Sequence, residues 1–153
     1  MCIRDSIHTV LAQCFLPYRD PEARDWDRRN GKFAICLTAG KVSDPEAKTG
    51  SRIAGLPFGA KPRLFMTYVN TQAVKNKSPV IPVERSMTAM IKELGLNPSG
   101  GKRGTIASFK DQITKLAACN FRIIGPGPKE GVQRHINAEP FKSFDVWLSL
   151  IHI

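Results

Sequence analysis

The chain has 153 residues, 42% of them hydrophobic, and carries a formal charge of +10 from 23 basic against 13 acidic side chains. That length supports one domain with its own core, and no apolar run approaches the roughly 18 residues of a membrane span. Cys14, Cys36 and Cys119 are far apart with no C-x-x-C pair, and His8 and His135 are isolated, which argues against a disulfide framework or a zinc site and fits a reducing cytoplasm.

In chain order, the first segment is not structural. Met1-Cys2-Ile3-Arg4-Asp5 can be encoded by ATG TGT ATA AGA GAC, and Leu148-Ser149-Leu150-Ile151-His152-Ile153 by CTG TCT CTT ATA CAC AT. The two strings are reverse complements over most of their length and match a transposon end used to tag DNA in sequencing libraries. Residues 1–6 and 148–153 therefore read as translated adapter, and Cys2 and His152 carry no functional meaning. The natural protein is expected to run past both ends.

Residues 7–61 read as a small β-rich extension. Ile7 to Leu16 is an apolar entry, and the stretch from Pro17 to Arg29 looks irregular. Asn30-Gly31 signals a turn. Lys32 to Thr38 then alternates, with Phe33, Ile35 and Leu37 on one face, as a half-buried strand requires. Residues 39–51 read as a loop or hairpin tip, and Gly55 to Pro62 as a connector.

From residue 61 the composition changes. Residues 1–60 hold nine basic and seven acidic side chains, whereas residues 61–142 hold fourteen and five. A segment this basic attracts a polyanion, because neutralising phosphates releases condensed counterions; a solvated surface or an affinity for acidic protein are the plainer readings. Helix one is predicted from Pro62 to Lys75, followed by a short edge strand over Val80 to Val83. Ser86 is a good N-cap for helix two, whose apolar face is Met87, Met90, Ile91 and Leu94 and whose stop is Gly95-Leu96. Residues 97–104 form a basic turn, and helix three runs from Thr105 to Ala118 on Ile106, Phe109, Ile113 and Leu116. Strands at 120–124 and 132–138 flank a Gly/Pro loop. This order is that of a winged helix, so the expected class is α+β. A helix-turn-helix with a β-hairpin wing occupies 62–147, truncated at its end.

Seven blocks carry a family resemblance. They are Leu16-Pro17-Tyr18-Arg19-Asp20-Pro21, Gly55-Leu56-Pro57-Phe58-Gly59, Lys61-Pro62-Arg63-Leu64, Ser86-Met87-Thr88-Ala89, Leu94-Gly95-Leu96-Asn97-Pro98, Lys110-Asp111-Gln112 and Phe144-Asp145-Val146-Trp147. In this order they resemble the plasmid-encoded RepA replication proteins, over nearly all of residues 8–147. The resemblance implies a cytoplasmic initiator that binds repeated sites at a plasmid origin. It also implies double-stranded DNA as the partner, with a homodimer and host replication proteins as further ones. The turn Ser99-Gly100-Gly101-Lys102-Arg103-Gly104 departs from the charged or asparagine-rich turn common in the family.

With Phe109 toward the core, helix three turns Ser108, Asp111 and Lys115 outward, with Arg103, Lys110 and Gln112 on the flanks. Lys102, Arg103, Lys110 and Lys115 suit phosphate, and Gln112 suits an adenine edge. Asp111 accepts from cytosine or pairs with Lys115 at i+4. Lys129 and Arg134 flank the wing, where a neighbouring phosphate and plain solvent are equal alternatives. The glycines from Gly95 to Gly101 miss the phosphate-loop spacing, Arg103 stands where Ser or Thr is needed, and no catalytic set or carboxylate pair stands out. A non-enzymatic DNA-binding fragment without cofactor, metal or membrane is the expectation. The alternatives are a dimerisation or protein-interaction domain of such an initiator, and a winged-helix transcriptional repressor.

Overall fold

The computed structural model describes residues 16–78, 80–81, 83 and 86–139. Four strands precede the helices: β1 (Asp25–Asn30), β2 (Phe33–Thr38), β3 (Lys41–Ser43) and β4 (Ser51–Ile53). Helices α1 (Ala60–Asn76), α2 (Met87–Glu93) and α3 (Thr105–Ala118) follow, then β5 (Asn120–Pro126) and β6 (Gln133–Ala138). Both segments read as adapter, the entry segment before Leu16 and the run from Phe141 to Trp147 lie outside the described residues.

The alternation in β2 organises the fold. Ile35 and Leu37 are fully buried, while Cys36 and Thr38 point to the other face of the sheet. Phe121 and Ile123 of β5 pair with Leu37 and Ile35, so four apolar side chains line one inner face. The sheet order is β1-β2-β5-β6, with every neighbouring pair antiparallel. The segment read as an N-terminal extension thus shares a sheet with the C-terminal hairpin, and both close the same core. The hairpin expected as a two-stranded wing is half of this sheet.

Three helices cover the inner face. Phe65 of α1 meets Phe109 of α3 edge to face, with centroids 6.0 Å apart at 84°, a pairing that adds about 0.5–1.5 kcal/mol to burial alone. Met87, Met90 and Ile91 of α2 and Ile113 and Leu116 of α3 are also buried. Each such side chain contributes on the order of 1.5–3 kcal/mol on leaving water. α2 keeps its predicted ends. Ser86 Oγ accepts from Ala89 N at 3.1 Å, and at the other end Leu96 N donates to Ile91 O while Gly95 N donates to Lys92 O. That reciprocal pair needs a left-handed residue, and Gly95 supplies it at φ 76.

Two expectations give way. Val80, Ile81 and Val83 form no strand, because Pro79 and Pro82 deny the segment the amide donors a ladder needs. The stretch read as irregular contains β1, which lies at the sheet edge with Trp26 alone half-buried and owes its form to the turn at Gly31. Of the two readings of the polar segment over 39–51, loop or hairpin tip, the hairpin is the one that forms: β3 pairs with β4, closed by Asp44 N donating to Gly50 O at 3.0 Å. Among the described residues no helix is long and apolar enough to cross a membrane.

Candidate nucleic-acid interface

The turn before α3 is hydrogen-bonded rather than loose. Ser99 Oγ accepts from Thr105 N at 2.9 Å and so caps the helix from six residues upstream. Ile106 N donates to Ser99 O, and Gly104 N to Gly101 O. A Cβ at Gly104 would stand 2.3 Å from the carbonyl oxygens of both Ser99 and Gly100, so only glycine lets the loop close this tightly. The result is a rigid tip with Lys102 and Arg103 exposed. They sit at the N-terminal end of a 14-residue helix with no acidic residue in its first turn. Helix dipole and side-chain charge there both favour an anion.

The middle of α3 is different. Phe109, Gln112, Ile113 and Leu116 are buried, and Asp111 is the one residue of the helix classed as exposed. The connector that precedes α1 lies along this helix and covers much of the face expected to be free. Phe58 N donates to Gln112 Oε1 at 2.8 Å. Lys61 Nζ donates to Ser108 Oγ at 2.8 Å. Lys115 Nζ lies 5.2 Å from the Phe58 ring centroid and 2.9 Å from Asp111 Oδ2.

These contacts correct two assignments. Gln112 was expected on a flank, open to a base edge; it is 5% exposed, and its acceptor is committed to a backbone amide that would otherwise go unmet. Lys115 was expected outward; its side chain is 16% exposed and its charge is neutralised by Asp111. The i+4 pairing is thus the reading of Asp111 that the geometry supports, in place of a cytosine contact. Ser108 and Lys110 are half-buried.

What remains on this side is a groove of about 410 Å³ whose polar lining is Lys61, Lys102, Ser108, Asp111 and Gln112. It brings Lys102, Ser108 and Gln112 together. Lys61 was missed as a site residue, since its lysine-proline pair reads only as a helix start. Lys129 and Arg134 are exposed on a separate element, the β5–β6 hairpin, where Arg134 pairs with Gly125. Arg122 of β5 is also exposed and donates to Asn137 Oδ1 across the hairpin at 3.0 Å.

The cysteines in this region are poor nucleophiles. Burial pushes the Cys119 thiol up to about 12, and burial with neighbouring Asp27 raises Cys36. Among the described residues no group of three His, Cys, Asp or Glu side chains could hold a metal ion.

A family model described as plasmid encoded RepA protein matches residues 56–150, more than half of the chain. Neither the curated proteins nor the solved structures contain a match.

Proposed function

The chain belongs to the plasmid-encoded RepA family of replication proteins, and from that premise we propose that it docks on double-stranded DNA at origin repeats, led by the N-terminal end of α3. The observation that carries this reading is the capped turn, which holds Lys102 and Arg103 in solvent at a positive helix end. The charge excess after residue 60 supports it, since phosphate contacts supply most non-specific affinity.

The reading is a winged-helix-like one. α2, the connector, α3 and the β5–β6 hairpin follow in the order of a helix-turn-helix with its wing, and such motifs contact bases with the N-terminal residues of the second helix. Two features set it apart from the usual form. The connector from 94 to 104 is longer than a tight turn, and the middle of α3 is packed under the connector before α1. Base reading therefore falls to the first turn of α3, while Lys102 and Arg103 of the preceding turn, with Lys61, Lys110, Lys129 and Arg134, supply phosphate contacts.

The test is a mobility shift with origin-repeat duplex across a salt series. Replacing Lys102 and Arg103 by alanine is expected to weaken binding and to flatten the slope of log K against log salt by about 1.8, the loss of two phosphate contacts. Folded protein whose slope and affinity are unchanged would overturn the assignment.

A further inference from the structure

The sheet register brings two hairpin turns to one end of the sheet. β1 turns into β2 through Gly31 and Lys32, with Asn30 paired to Phe33. Ala34 pairs with Ile124, and Ile124 with His135. The β1–β2 turn and the β5–β6 turn therefore leave the sheet on the same side. Phe33 ties them together. A Cβ at Gly125 would stand 3.1 Å from its ring, so the glycine lets this β2 side chain lie across onto β5. Adjacent strands are about 4.8 Å apart, which sets the two hairpins about 10 Å apart.

Charge is sorted along this sheet. Arg28, Arg29 and Lys32 on the first hairpin and Lys129 and Arg134 on the second are all exposed. No ion pair among the described residues involves any of the five. Between Arg28 and Ile35 there is no acidic residue, and between Ile123 and Ile136 only Glu130. Asp25 and Glu139 lie at the opposite end, where Asp25 pairs with Thr38 and Glu139 follows Ala138. The near-neutral count over residues 1–60 hides this separation, because β1 begins with its acids and ends with its arginines. Arg28 shares a row with buried Ile35 and Ile123, on the core side of the sheet. Arg29 and Lys32 are then the pair at the tip.

We propose that the β1–β2 hairpin is a second DNA-docking finger, in which Arg29 and Lys32 hold backbone phosphates of the same duplex that Lys129 and Arg134 touch. The inference rests on the DNA-docking reading above and carries it to an element outside residues 56–150, the stretch that the family model matches. Spacing, rigidity and chemistry select the ligand. Each strand of a duplex presents a charge about every 3.4 Å, so tips about 10 Å apart span about three phosphates. A two-residue turn with Gly31 at φ 59 fixes the finger's backbone before any ligand arrives. Stacking on a single strand needs an aromatic platform, and Phe33, the large aromatic ring at this end, is packed on Gly125.

Mobility shift of the whole chain on a mixed-sequence duplex across a salt series tests this. Arg29→Gln with Lys32→Gln should weaken binding and flatten the slope of log K against log salt by about 1.8, two contacts at about 0.9 each. The control, Lys41→Gln with Lys48→Gln, removes the same charge from the β3–β4 hairpin, which follows the far end of β2, and should leave the slope at the parent's value. All four positions are exposed, so melting temperatures should hold in both variants and separate lost contact from lost fold. In hydroxyl-radical footprinting the tip variant should lose about two or three protected sugars along one strand, with the rest of the footprint kept. Lys102→Ala with Arg103→Ala is run beside them. A slope flattened there alone upholds the capped turn and sinks the second finger; a slope flattened by the tip variant alone does the reverse. Equal flattening by the tip and control variants, which is the signature of net charge without contact, also overturns the proposal.

Discussion

Gln112 offers a clean separation between reading DNA and holding the protein together. Its Oε1 takes the Phe58 amide at 2.8 Å, and the residue is 5% exposed. Gln112→Met keeps most of the length and packing and removes the acceptor. The Phe58 N–H is then left in a part-buried place without its partner, which costs about 1–2 kcal/mol. Gln112→Ala also loses buried side-chain volume, about 0.8 kcal/mol per methylene, so its cost rises to about 2–3 kcal/mol. For a chain of this size each kcal/mol lowers the melting temperature by about 2–4 °C. Gln112→Met should therefore melt about 2–8 °C below the parent, and Gln112→Ala lower still. Thermal denaturation followed by circular dichroism measures both. Competition binding with a panel of repeat variants supplies the second readout, and there the methionine variant should rank the sequences as the parent does. A variant that melts with the parent but reorders the panel would refute the argument, because it would mean the side chain leaves Phe58 to read a base.

The remaining expectations concern the turn and the buried thiol. Gly104→Ala drives a methyl into two carbonyl oxygens at 2.3 Å and should cost more than about 2 kcal/mol in urea unfolding. Gly100→Ala, with nothing within 4 Å, is its neutral control, and equal behaviour of the two would discount the clash. Cys119 should resist a thiol reagent in the native protein, so Cys119→Ala should lower the titrated thiol count only after denaturation. Its folded pKa, about 12 against an ordinary 9.0, also sets a sign. The unfolded thiol ionises first, so this contribution to stability is intact below pH 9 and declines between 9 and about 12 by up to about 1.4 kcal/mol per pH unit. Unfolding free energies of parent and Cys119→Ala that run parallel from pH 8 to 10.5 would contradict it.

The helices were the most legible part of this chain. The bounds of α3 follow from an apolar spacing that begins after Gly104 and stops before Cys119, and those of α2 from Ser86 and Gly95-Leu96. β2 and β5 were equally plain, because alternation is the direct imprint of a half-buried strand. β1 left no such imprint. An edge strand with five exposed positions of six has little reason to alternate, and its form comes from the hairpin partner. The site was less legible than the fold. Gln112 follows Phe109 by three residues and so lies on nearly the same face one turn along. Polarity argues for turning it outward, and the reason it stays inside is an amide 54 residues away. Contacts made by a connector with no periodicity leave no trace in local pattern, so neither the cover over α3 nor the role of Lys61 could be read from spacing. Lys102 and Arg103 could, because a tight glycine-rich turn forces its long side chains into solvent.

The pairing of β2 with β5 also sets a timetable. Ala34 meets Ile124 and Thr38 meets Asn120, partners separated by roughly 80–90 residues of chain, so the loop-closure entropy falls due before the central ladder returns anything. During synthesis the β1–β2 hairpin emerges early with Ile35 and Leu37 exposed, and its partner strand is made only after all three helices. The ladder therefore cannot close until β5 has cleared the ribosome. A nascent chain halted before Asn120 holds a hairpin with an apolar face and an unpaired edge, the kind of surface that invites aggregation or chaperone binding.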